Sequence, residues 1–369
     1  MKKIMLVFGT RPEAVKMCPL VKELNNRPEA QAIVCVTGQH RRLLDQALAA
    51  FHVSPDYDLA VMREGQTLPE LTARILEGIT PVLERERPDL TLVHGDTATA
   101  FAAALASYYL GIPVGHVEAG LRTYDLHAPY PEEFHRQAIS ALAAYHFAPT
   151  EAARNNLLRE GRDEKRVFVT GNTVIDALGQ TVRADFSHPE LEWAQGSRLL
   201  FVTAHRRENI GEPLRRMLRA IRRAVAEHDG VKALYPVHPN PLVRGVAEAE
   251  LSGCPRIHLI EPLDVVACHN IMARSDVILT DSGGMQEEAL ALGVPVLVMR
   301  EKTERPEAVE GDGGILAGTG EAGIRAARSQ LREKERPCRA PAWAAHPYGD
   351  GTASRRIADI LCREREGAG

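Results

Sequence analysis

The stretch that decides the fold is Leu90-Thr-Leu-Val-His-Gly-Asp-Thr97, which leads into a helical run as far as Leu110 and then into Ile112-Pro-Val-Gly-His-Val117. A short β-branched strand, a helix and a second short strand make one βαβ unit, and such units join parallel neighbours by a right-handed crossover. The apolar runs lack apolar/polar alternation, which is typical of strands covered on both faces. The pattern predicts a doubly wound parallel α/β sheet.

The same alternation of strand and helix continues along the whole chain. The predicted strands are Ile4–Phe8, Ile33–Thr37, Leu90–Val93, Ile112–Val117, Tyr145–Ala148, Val167–Thr170, Leu199–Thr203, Ala233–Val237, Ile257–Ile260, Val277–Thr280, Val294–Val298 and Ile315–Ala317. That is too many strands for one such sheet, and 369 residues are enough for about two domains. We therefore expect two similar domains, with the break between Asp176 and Arg198.

Composition excludes several functional classes. The chain is 44% hydrophobic and 25% charged, with a net charge of -4, so nothing in the overall charge favours nucleic acid or an anionic membrane as a partner. Its six cysteines are scattered without a CxxC pair, which indicates a reducing cytoplasm. The sequence contains no apolar span of 18 residues, so we expect no membrane helix.

Three acids, Asp96, Glu118 and Glu132, fall within 37 residues. The first two directly follow predicted strands, and Glu132 follows on a predicted Pro-bounded loop. The carboxyl ends of parallel strands open onto the ligand crevice, so we expect these acids to face one cleft. Such a group could move protons on and off a weakly acidic centre. The alternative for Asp96 is that it caps the helix that follows it.

Phosphate-binding patterns occur in both halves. In Phe8-Gly-Thr-Arg-Pro-Glu13 a turn leads from the first strand into the first helix, placing Arg11 and Lys16 at its positive end. In the second half, Ser282, Gly283 and Gly284 are predicted to offer free N–H groups to a diphosphate. Two further residues follow in this half: Glu288 suits a ribose diol, and Arg305 follows the next strand.

Two histidines, His205 and His238, follow the first two strands of the second half and are expected to face the cleft. No histidine pair has HxxxH spacing and no His/Cys cluster occurs, so we predict no metal. A Gly-x-Ser-x-Gly elbow is also missing, which argues against a serine nucleophile.

Nine segments in order resemble the non-hydrolysing UDP-N-acetylglucosamine 2-epimerases, from about residue 4 to about residue 360. They are Phe8-Gly-Thr-Arg-Pro-Glu-Ala-Val-Lys-Met17, His94-Gly-Asp-Thr97, Gly115-His-Val-Glu-Ala-Gly-Leu-Arg-Thr123, Tyr130-Pro-Glu-Glu133, Thr170-Gly-Asn-Thr-Val-Ile-Asp176, Thr203-Ala-His-Arg-Arg-Glu-Asn209, Asp281-Ser-Gly-Gly-Met-Gln-Glu-Glu288, Thr303-Glu-Arg-Pro-Glu307 and Pro347-Tyr-Gly-Asp-Gly351. The resemblance implies a GT-B fold: two Rossmann-like, doubly wound domains with an interdomain cleft. Residues 1–178 would form the first domain, joined by a C-terminal helix at 352–369, and residues 179–351 the second, UDP-binding domain.

The resemblance also implies a reaction. The family expels UDP across C1–C2 of the sugar to give 2-acetamidoglucal, and UDP then adds back while a proton reaches the opposite face of C2. The chain would thus be a cytoplasmic isomerase that interconverts UDP-GlcNAc and UDP-ManNAc for cell-surface polysaccharide biosynthesis. It would be a homodimer with no cofactor, and Asp96, Glu118 and Glu132 would be its acid/base set.

The remaining site residues carry over one by one. The positions that match the family's UDP or phosphate contacts are Arg11, Lys16, His205, Ser282, Gly283, Gly284 and Arg305, of which His205 is also assigned a catalytic role. Glu288 matches the ribose position. The uracil region follows Glu261-Pro262 and includes Leu263 and Cys268, where many relatives have an aromatic residue in place of Cys268.

Many bacterial relatives bind a second UDP-GlcNAc as an activator. The positions of this chain associated with that site are Gln39, His40, Arg42 and His238, with Arg42 and Gly65 standing where relatives usually have Gln and Arg. Another departure is His135, where relatives usually have Asn.

Two alternatives to the epimerase remain at this point. One is a hydrolysing relative that releases UDP and free N-acetylmannosamine. The other is a non-catalytic UDP-sugar sensor, or a GT-B glycosyltransferase that uses the same nucleotide half. The intact trio of acids argues against this second alternative, because neither protein needs three acids there.

Overall fold

The computed structural model describes residues 1–38, 41–63, 65–301, 303, 305, 307–310, 313–324 and 347–363. The chain forms two compact units, Met1–Gln180 with Tyr348–Gly369, and Thr181–Pro347. Each unit contains one parallel sheet with helices between successive strands, so the predicted α/β class is confirmed.

The described part of unit 1 has a seven-stranded sheet in the order β3-β2-β1-β4-β5-β6-β7. Its strands are β1 Lys2–Phe8, β2 Ala30–Val36, β3 Tyr57–Asp58, β4 Leu90–His94, β5 Val114–Val117, β6 Tyr145–Ala148 and β7 Val167–Val169. Its helices are α1 Arg11–Asn25, α2 Arg41–Ala50, α3 Leu68–Glu86, α4 Ala98–Tyr109, α5 Glu132–Leu142, α6 Glu151–Arg159 and α7 Thr173–Thr181, with the C-terminal helix α14 at Ala353–Arg363. A single turn of 3-10 helix, Glu164–Arg166, precedes β7.

Unit 2 has a six-stranded sheet, as far as its residues are described, in the order β10-β9-β8-β11-β12-β13. Its strands are β8 Arg198–Thr203, β9 Val231–Pro236, β10 Ile257–Ile260, β11 Val277–Thr280, β12 Val296–Val298 and β13 Gly314–Leu316. Its helices are α8 Pro189–Ala194, α9 Glu212–Ala226, α10 Pro241–Leu251, α11 Val265–Arg274, α12 Gly283–Ala291 and α13 Glu307–Glu310. A 3-10 turn at Arg207–Asn209 follows β8.

The strands at the centre of each sheet are buried on both faces. Every residue of β4 is buried, as are five of the six residues of β8. This burial explains why the apolar runs of the sequence do not alternate with polar residues. None of the described helices is long and apolar enough to cross a membrane.

The turns after β1 and before α3 contain the same helix-capping motif, a capping box. Thr10 caps α1 and Thr67 caps α3, and in each case a glutamate three residues later returns a hydrogen bond to the cap. Each capping box fixes where its helix begins. The first one therefore sets the position of the residues that open α1.

Candidate active site

The loop 95–97, which joins β4 to α4, is held at each of its three residues. The His116 ring donates from Nε2 to the Gly95 carbonyl at 2.7 Å. The His135 ring donates from Nδ1 to the Asp96 carbonyl at 2.8 Å. The Thr97 hydroxyl donates to Glu13 Oε1 at 2.7 Å. The loop is therefore a rigid support for the carboxylate of its middle residue.

Asp96 has a salt bridge rather than a capping role. Its carboxylate accepts a hydrogen bond from the buried Arg136 at 2.8 Å, and Arg136 also binds the fully buried Glu133 at 2.6 Å. The hydroxyl that caps α4 belongs to Thr97, which accepts the Ala100 N–H at 3.0 Å. The alternative that Asp96 is the N-cap is thus wrong. Its carboxylate binds Arg136 instead and stays a candidate acid of the site.

Glu118 is buried at the end of β5 in left-handed backbone, with φ of 63°. It forms an ion pair with Lys16 and accepts a hydrogen bond from Asn172 Nδ2 at 2.6 Å. His94 Nε2 lies 3.6 Å from the same oxygen. Left-handed backbone costs a non-glycine residue about 1 kcal/mol, so the surrounding contacts hold Glu118 there against that cost.

Glu132 is the first residue of α5, not part of a loop as predicted. Residues three and four positions further on share its side of the helix, and these are His135 and Arg136, the two that bind Asp96. Burial lowers the pKa of His135, and the hydrogen bond to the Asp96 carbonyl and the charges of Asp96 and Glu132 act more weakly in the opposite direction. The structure therefore brings Asp96 and Glu132 to one side of α5.

Glu118 approaches the same loop from β5. A Cβ built on Gly95 would lie 3.8 Å from Glu118 Oε1. Asp96 thus lies in the loop 95–97, Glu118 lies close to it, and Glu132 opens the helix whose His135 binds it, so each acid has a different set of neighbours. Different environments are what allow like carboxylates to take the separate roles of acid and base.

The two basic residues of α1 differ in their surroundings. Arg11 opens the helix and is half-buried, whereas Lys16 is buried and contacts Glu118. Lys16 therefore lies beside one of the three predicted acids.

The start of α12 in unit 2 differs from the prediction at one residue. The N–H of Ser282 donates to Thr280 Oγ1 at 2.9 Å, so the expectation that this N–H is free is wrong. Gly283 and Gly284 begin the helix, where N–H groups have no carbonyl four residues earlier within it. On the next turn, the side chain of Glu288 lies close to Gly284. A Cβ added to Gly284 would be 3.9 Å from Glu288 Oε1.

Arg305 is buried, and its guanidinium forms an ion pair with Glu287, which is also fully buried. Thr303, two residues before it, donates its hydroxyl to Gln286 Oε1 at 3.0 Å. Helix α12 therefore fixes the segment that carries Arg305.

His205 stacks on His238 with ring centroids 5.2 Å apart and planes within 1°. Its backbone N–H and that of Arg206 donate to Asp281, a fully buried carboxylate at the end of β11. Asn209 Nδ2 donates to the same carboxylate at 3.0 Å. Asp281 thus holds the whole turn on which His205 lies.

The remaining predicted residues are less informative. Leu263 and Cys268 are partly buried against the core of unit 2, with Cys268 Sγ 3.8 Å from Met272 Sδ. Gln39 and His40 lie outside the described residues, as does the side chain of Arg42. The described residues contain no group of three His, Cys, Asp or Glu side chains that could hold a metal ion.

Several residues that shape the site had no role in the sequence analysis, namely Glu13, Glu133, Arg136, Asn172 and Asp281. All but Arg136 stand inside the motifs quoted above, so position alone could have marked them. Their partners could not be read there, because these contacts join distant parts of the chain.

Comparisons with known proteins give matches over nearly the whole chain. The family model described as UDP-N-acetylglucosamine 2-epimerase matches residues 22–362. The UDP-N-acetylglucosamine 2-epimerase of Bacillus subtilis is 52% identical over 359 residues, covering 97% of this chain and 94% of the relative.

Solved structures match over nearly the whole chain. The S. aureus MnaA structure with UDP has a TM-score of 0.93 at 47% identity, covering 99% of this chain and 97% of that one. The UDP-GlcNAc 2-epimerase of Neisseria meningitidis bound to UDP-GlcNAc has a TM-score of 0.91 at 44% identity, covering 97% and 99%. These matches confirm the expected GT-B fold class with its two Rossmann-like units.

Proposed function

This chain belongs to the UDP-N-acetylglucosamine 2-epimerase family, and from that premise we propose that it is an isomerase that interconverts UDP-GlcNAc and UDP-ManNAc without hydrolysing them. The observation that carries the proposal is the gathering of Asp96, Glu118 and Glu132 around the rigid loop 95–97. Inverting C2 requires a base on one face and an acid on the other, and this cluster supplies the groups for both.

The proposed reaction has two balanced steps. In the first, a carboxylate takes the proton from C2, the C1–O bond to UDP breaks and a C1–C2 double bond forms. In the second, a carboxylic acid gives a proton to the opposite face of C2 and a UDP oxygen re-forms its bond to C1. Water is not consumed, so UDP remains attached to the product.

The leaving diphosphate gains negative charge as the C1–O bond breaks. We assign Lys16 to that charge, since it lies beside Glu118 and a fixed cation at a developing anion lowers the barrier. Arg11 at the start of α1 is assigned to the same group. His205 is placed with the diphosphate too, held in position by Asp281.

Unit 2 is the proposed nucleotide-binding part. The N–H groups of Gly283 and Gly284 at the start of α12 suit a diphosphate, and Glu288 suits the ribose diol. Arg305 supports the same region through its pair with Glu287. The uracil is assigned to the segment with Leu263 and Cys268. The two neighbours with UDP or UDP-GlcNAc bound support UDP-GlcNAc as the ligand of this chain.

Two further proposals rest on the family resemblance. The first is that the enzyme works as a homodimer. The second is that a UDP-GlcNAc molecule activates it through Gln39, His40, Arg42 and His238. The stack of His238 on His205 supports the second proposal, because it links one of these residues to the diphosphate assignment within unit 2. Adding a trace of UDP-GlcNAc to UDP-ManNAc should then raise the initial rate of the reverse reaction.

The reaction type is tested by incubating the protein with UDP-GlcNAc alone and following the anomeric NMR signals. The expected result is UDP-ManNAc at constant total nucleotide sugar. Free N-acetylmannosamine with stoichiometric UDP would instead show the hydrolysing reaction. Unchanged UDP-GlcNAc in the presence of saturable UDP binding would show a sensor. Either of these two outcomes contradicts the proposal.

A further inference from the structure

Helix α5 holds Asp96 at two points with consecutive residues. His135 Nδ1 lies 2.8 Å from the Asp96 carbonyl oxygen, and Arg136 lies 2.8 Å from the Asp96 carboxylate. The second contact binds the side chain directly. The first contact fixes the peptide plane from which that side chain projects.

The state of the His135 ring follows from its partner. A carbonyl oxygen only accepts hydrogen bonds, so the hydrogen must be on Nδ1. The residue is only 4% exposed, and burial lowers its pKa, which keeps the ring neutral at physiological pH. The donor is therefore a fixed part of the folded site.

The same ring also makes a packing contact. It stacks on Phe101 of α4 with centroids 5.1 Å apart and planes within 9°. Phe134, the preceding residue, lies against Phe101 edge-on at 5.6 Å. His135 could thus act on the site by its hydrogen bond or only on stability by its stack, and these two contacts use different parts of the ring.

We propose that His135 is a positioning residue for Asp96, and that it acts through the hydrogen bond from Nδ1 to the Asp96 carbonyl rather than through the stack on Phe101. The proposal rests on the proposed function, in which Asp96 exchanges a proton with C2. A donor that fixes the peptide plane also fixes the direction in which the carboxylate projects. Displacing a reacting group by about 1 Å can cost roughly 100-fold in rate.

Two single substitutions separate the contacts. In His135→Asn the amide Nδ2 occupies nearly the place of the ring Nδ1, so the donor is kept and the stack is lost. In His135→Phe the ring and its stack are kept and the donor is lost. We expect kcat of the Asn variant to stay within about threefold of the parent and kcat of the Phe variant to fall roughly 10- to 100-fold. UDP affinity should stay unchanged in both.

Thermal stability should not follow kcat. The Asn variant loses the aromatic contact and the Phe variant loses a hydrogen bond, so both should have a Tm below that of the parent by similar amounts. A purely structural role predicts instead that kcat follows Tm. If the Phe variant does not fold, His135→Leu takes its place as the variant without a donor.

A double-mutant cycle with Asp96→Asn tests whether His135 works through Asp96. When the proton-exchanging group is already gone, His135→Phe should cost less than about threefold further in kcat. A full additional loss would contradict the proposal, as would parental kcat in His135→Phe or a large loss in His135→Asn. These failures are distinct from failure of the proposed function, in which the parent protein itself makes no UDP-ManNAc.

Discussion

At the scale of single residues, the three acids differ in how far they are enclosed. Glu118 is buried between Lys16 and Asn172, whereas Asp96 and Glu132 are partly exposed. A cation and an amide donor favour the ionised form of a carboxylate, and exposure allows exchange with water. These surroundings give the three acids different partners and different access to water.

Removing the exchangeable proton at each position should stop the chemistry without changing the fold. Asp96→Asn, Glu118→Gln and Glu132→Gln are each expected to lower kcat by roughly 10²–10⁴-fold. UDP affinity by calorimetry should change little for Asp96→Asn and Glu132→Gln, because UDP is assigned to other groups, whereas Glu118→Gln also removes the ion pair of Lys16. Glu84→Gln, on the exposed side of α3, is a matched control and should behave as the parent. Parental turnover in all three site variants would contradict the assignment.

The candidate acids could be predicted because each follows or opens an element in a short motif. Their partners could not. Lys16 and Glu118 are 102 residues apart, and Arg136 reaches Asp96 across 40 residues. Those pairings depend on the order β1-β4-β5 in the sheet, which a single sequence does not reveal. For the same reason Lys16 was predicted only as a phosphate ligand and not as a partner of an acid.

At the scale of elements, the start of α4 is connected to the loop 95–97 through Thr97. The hydrogen bonds of Thr97 to Ala100 and Glu13 are called the joint below. The Thr97 hydroxyl accepts the Ala100 N–H and donates to Glu13, which lies in the first turn of α1. Glu13 also accepts the N–H groups of Gly9 and Thr10. One buried carboxylate thus ties together the loops after β1 and β4.

Loss of this joint should affect stability and catalysis together. Thr97→Ala removes a helix cap and a partly buried hydrogen bond to Glu13, so the free energy of unfolding should fall by about 1–3 kcal/mol. Turnover should fall as well, since Asp96 is the neighbouring residue. Thr97→Ser keeps the hydroxyl and should restore most of both. Thr67→Ala removes the equivalent cap of α3 and should lower stability alone. If the two alanine variants lose turnover equally, the joint has no special role.

Element boundaries were the weakest part of the sequence prediction. The edge strand β3 has only two residues and gives no apolar run to detect. The loop predicted at Glu132 is instead the start of α5, because the helix begins directly after Pro131. Pro131 lies just before the first turn, where its missing N–H removes no hydrogen bond of the helix, so the same residue that suggested a loop is compatible with a helix.

At the scale of the whole molecule, the two parallel sheets followed directly from the sequence. Doubly covered strands must be apolar on both faces, and that pattern is read without any knowledge of partners. The same burial places histidines inside unit 1. Burial lowers the pKa of His116 to about 3 and that of His146 to about 4, so both rings are neutral in the folded state.

Neutral buried histidines make stability depend on pH. The unfolded chain takes up a proton at each ring near pH 6.5 and the folded chain does not, so stability is full above that pH and is lost as pH falls towards 4. Each ring should contribute a slope of about 1.4 kcal/mol per pH unit in that window. Burial raises the pKa of Glu13 and of Asp176, so these two carboxyl groups favour the folded state as the pH falls through their folded pKa values, which opposes the histidine effect.

Comparison of two proteins isolates the histidine contribution. Urea unfolding of the parent and of His146→Gln should be measured between pH 7 and pH 4.5. As the pH falls, the free energy of unfolding of the variant should decrease less steeply than that of the parent. The difference in slope should correspond to about one bound proton. Parallel curves would show that His146 titrates equally in the folded and unfolded chains.

The most direct test of the account is the fate of the hydrogen at C2. The protein is incubated with UDP-GlcNAc in D2O, and the UDP-ManNAc formed is examined by NMR and mass spectrometry. If carboxylates around the loop 95–97 remove one proton and another group returns one from the opposite face, every product molecule should carry deuterium at C2. UDP-ManNAc that retains its original C2 hydrogen would contradict the account.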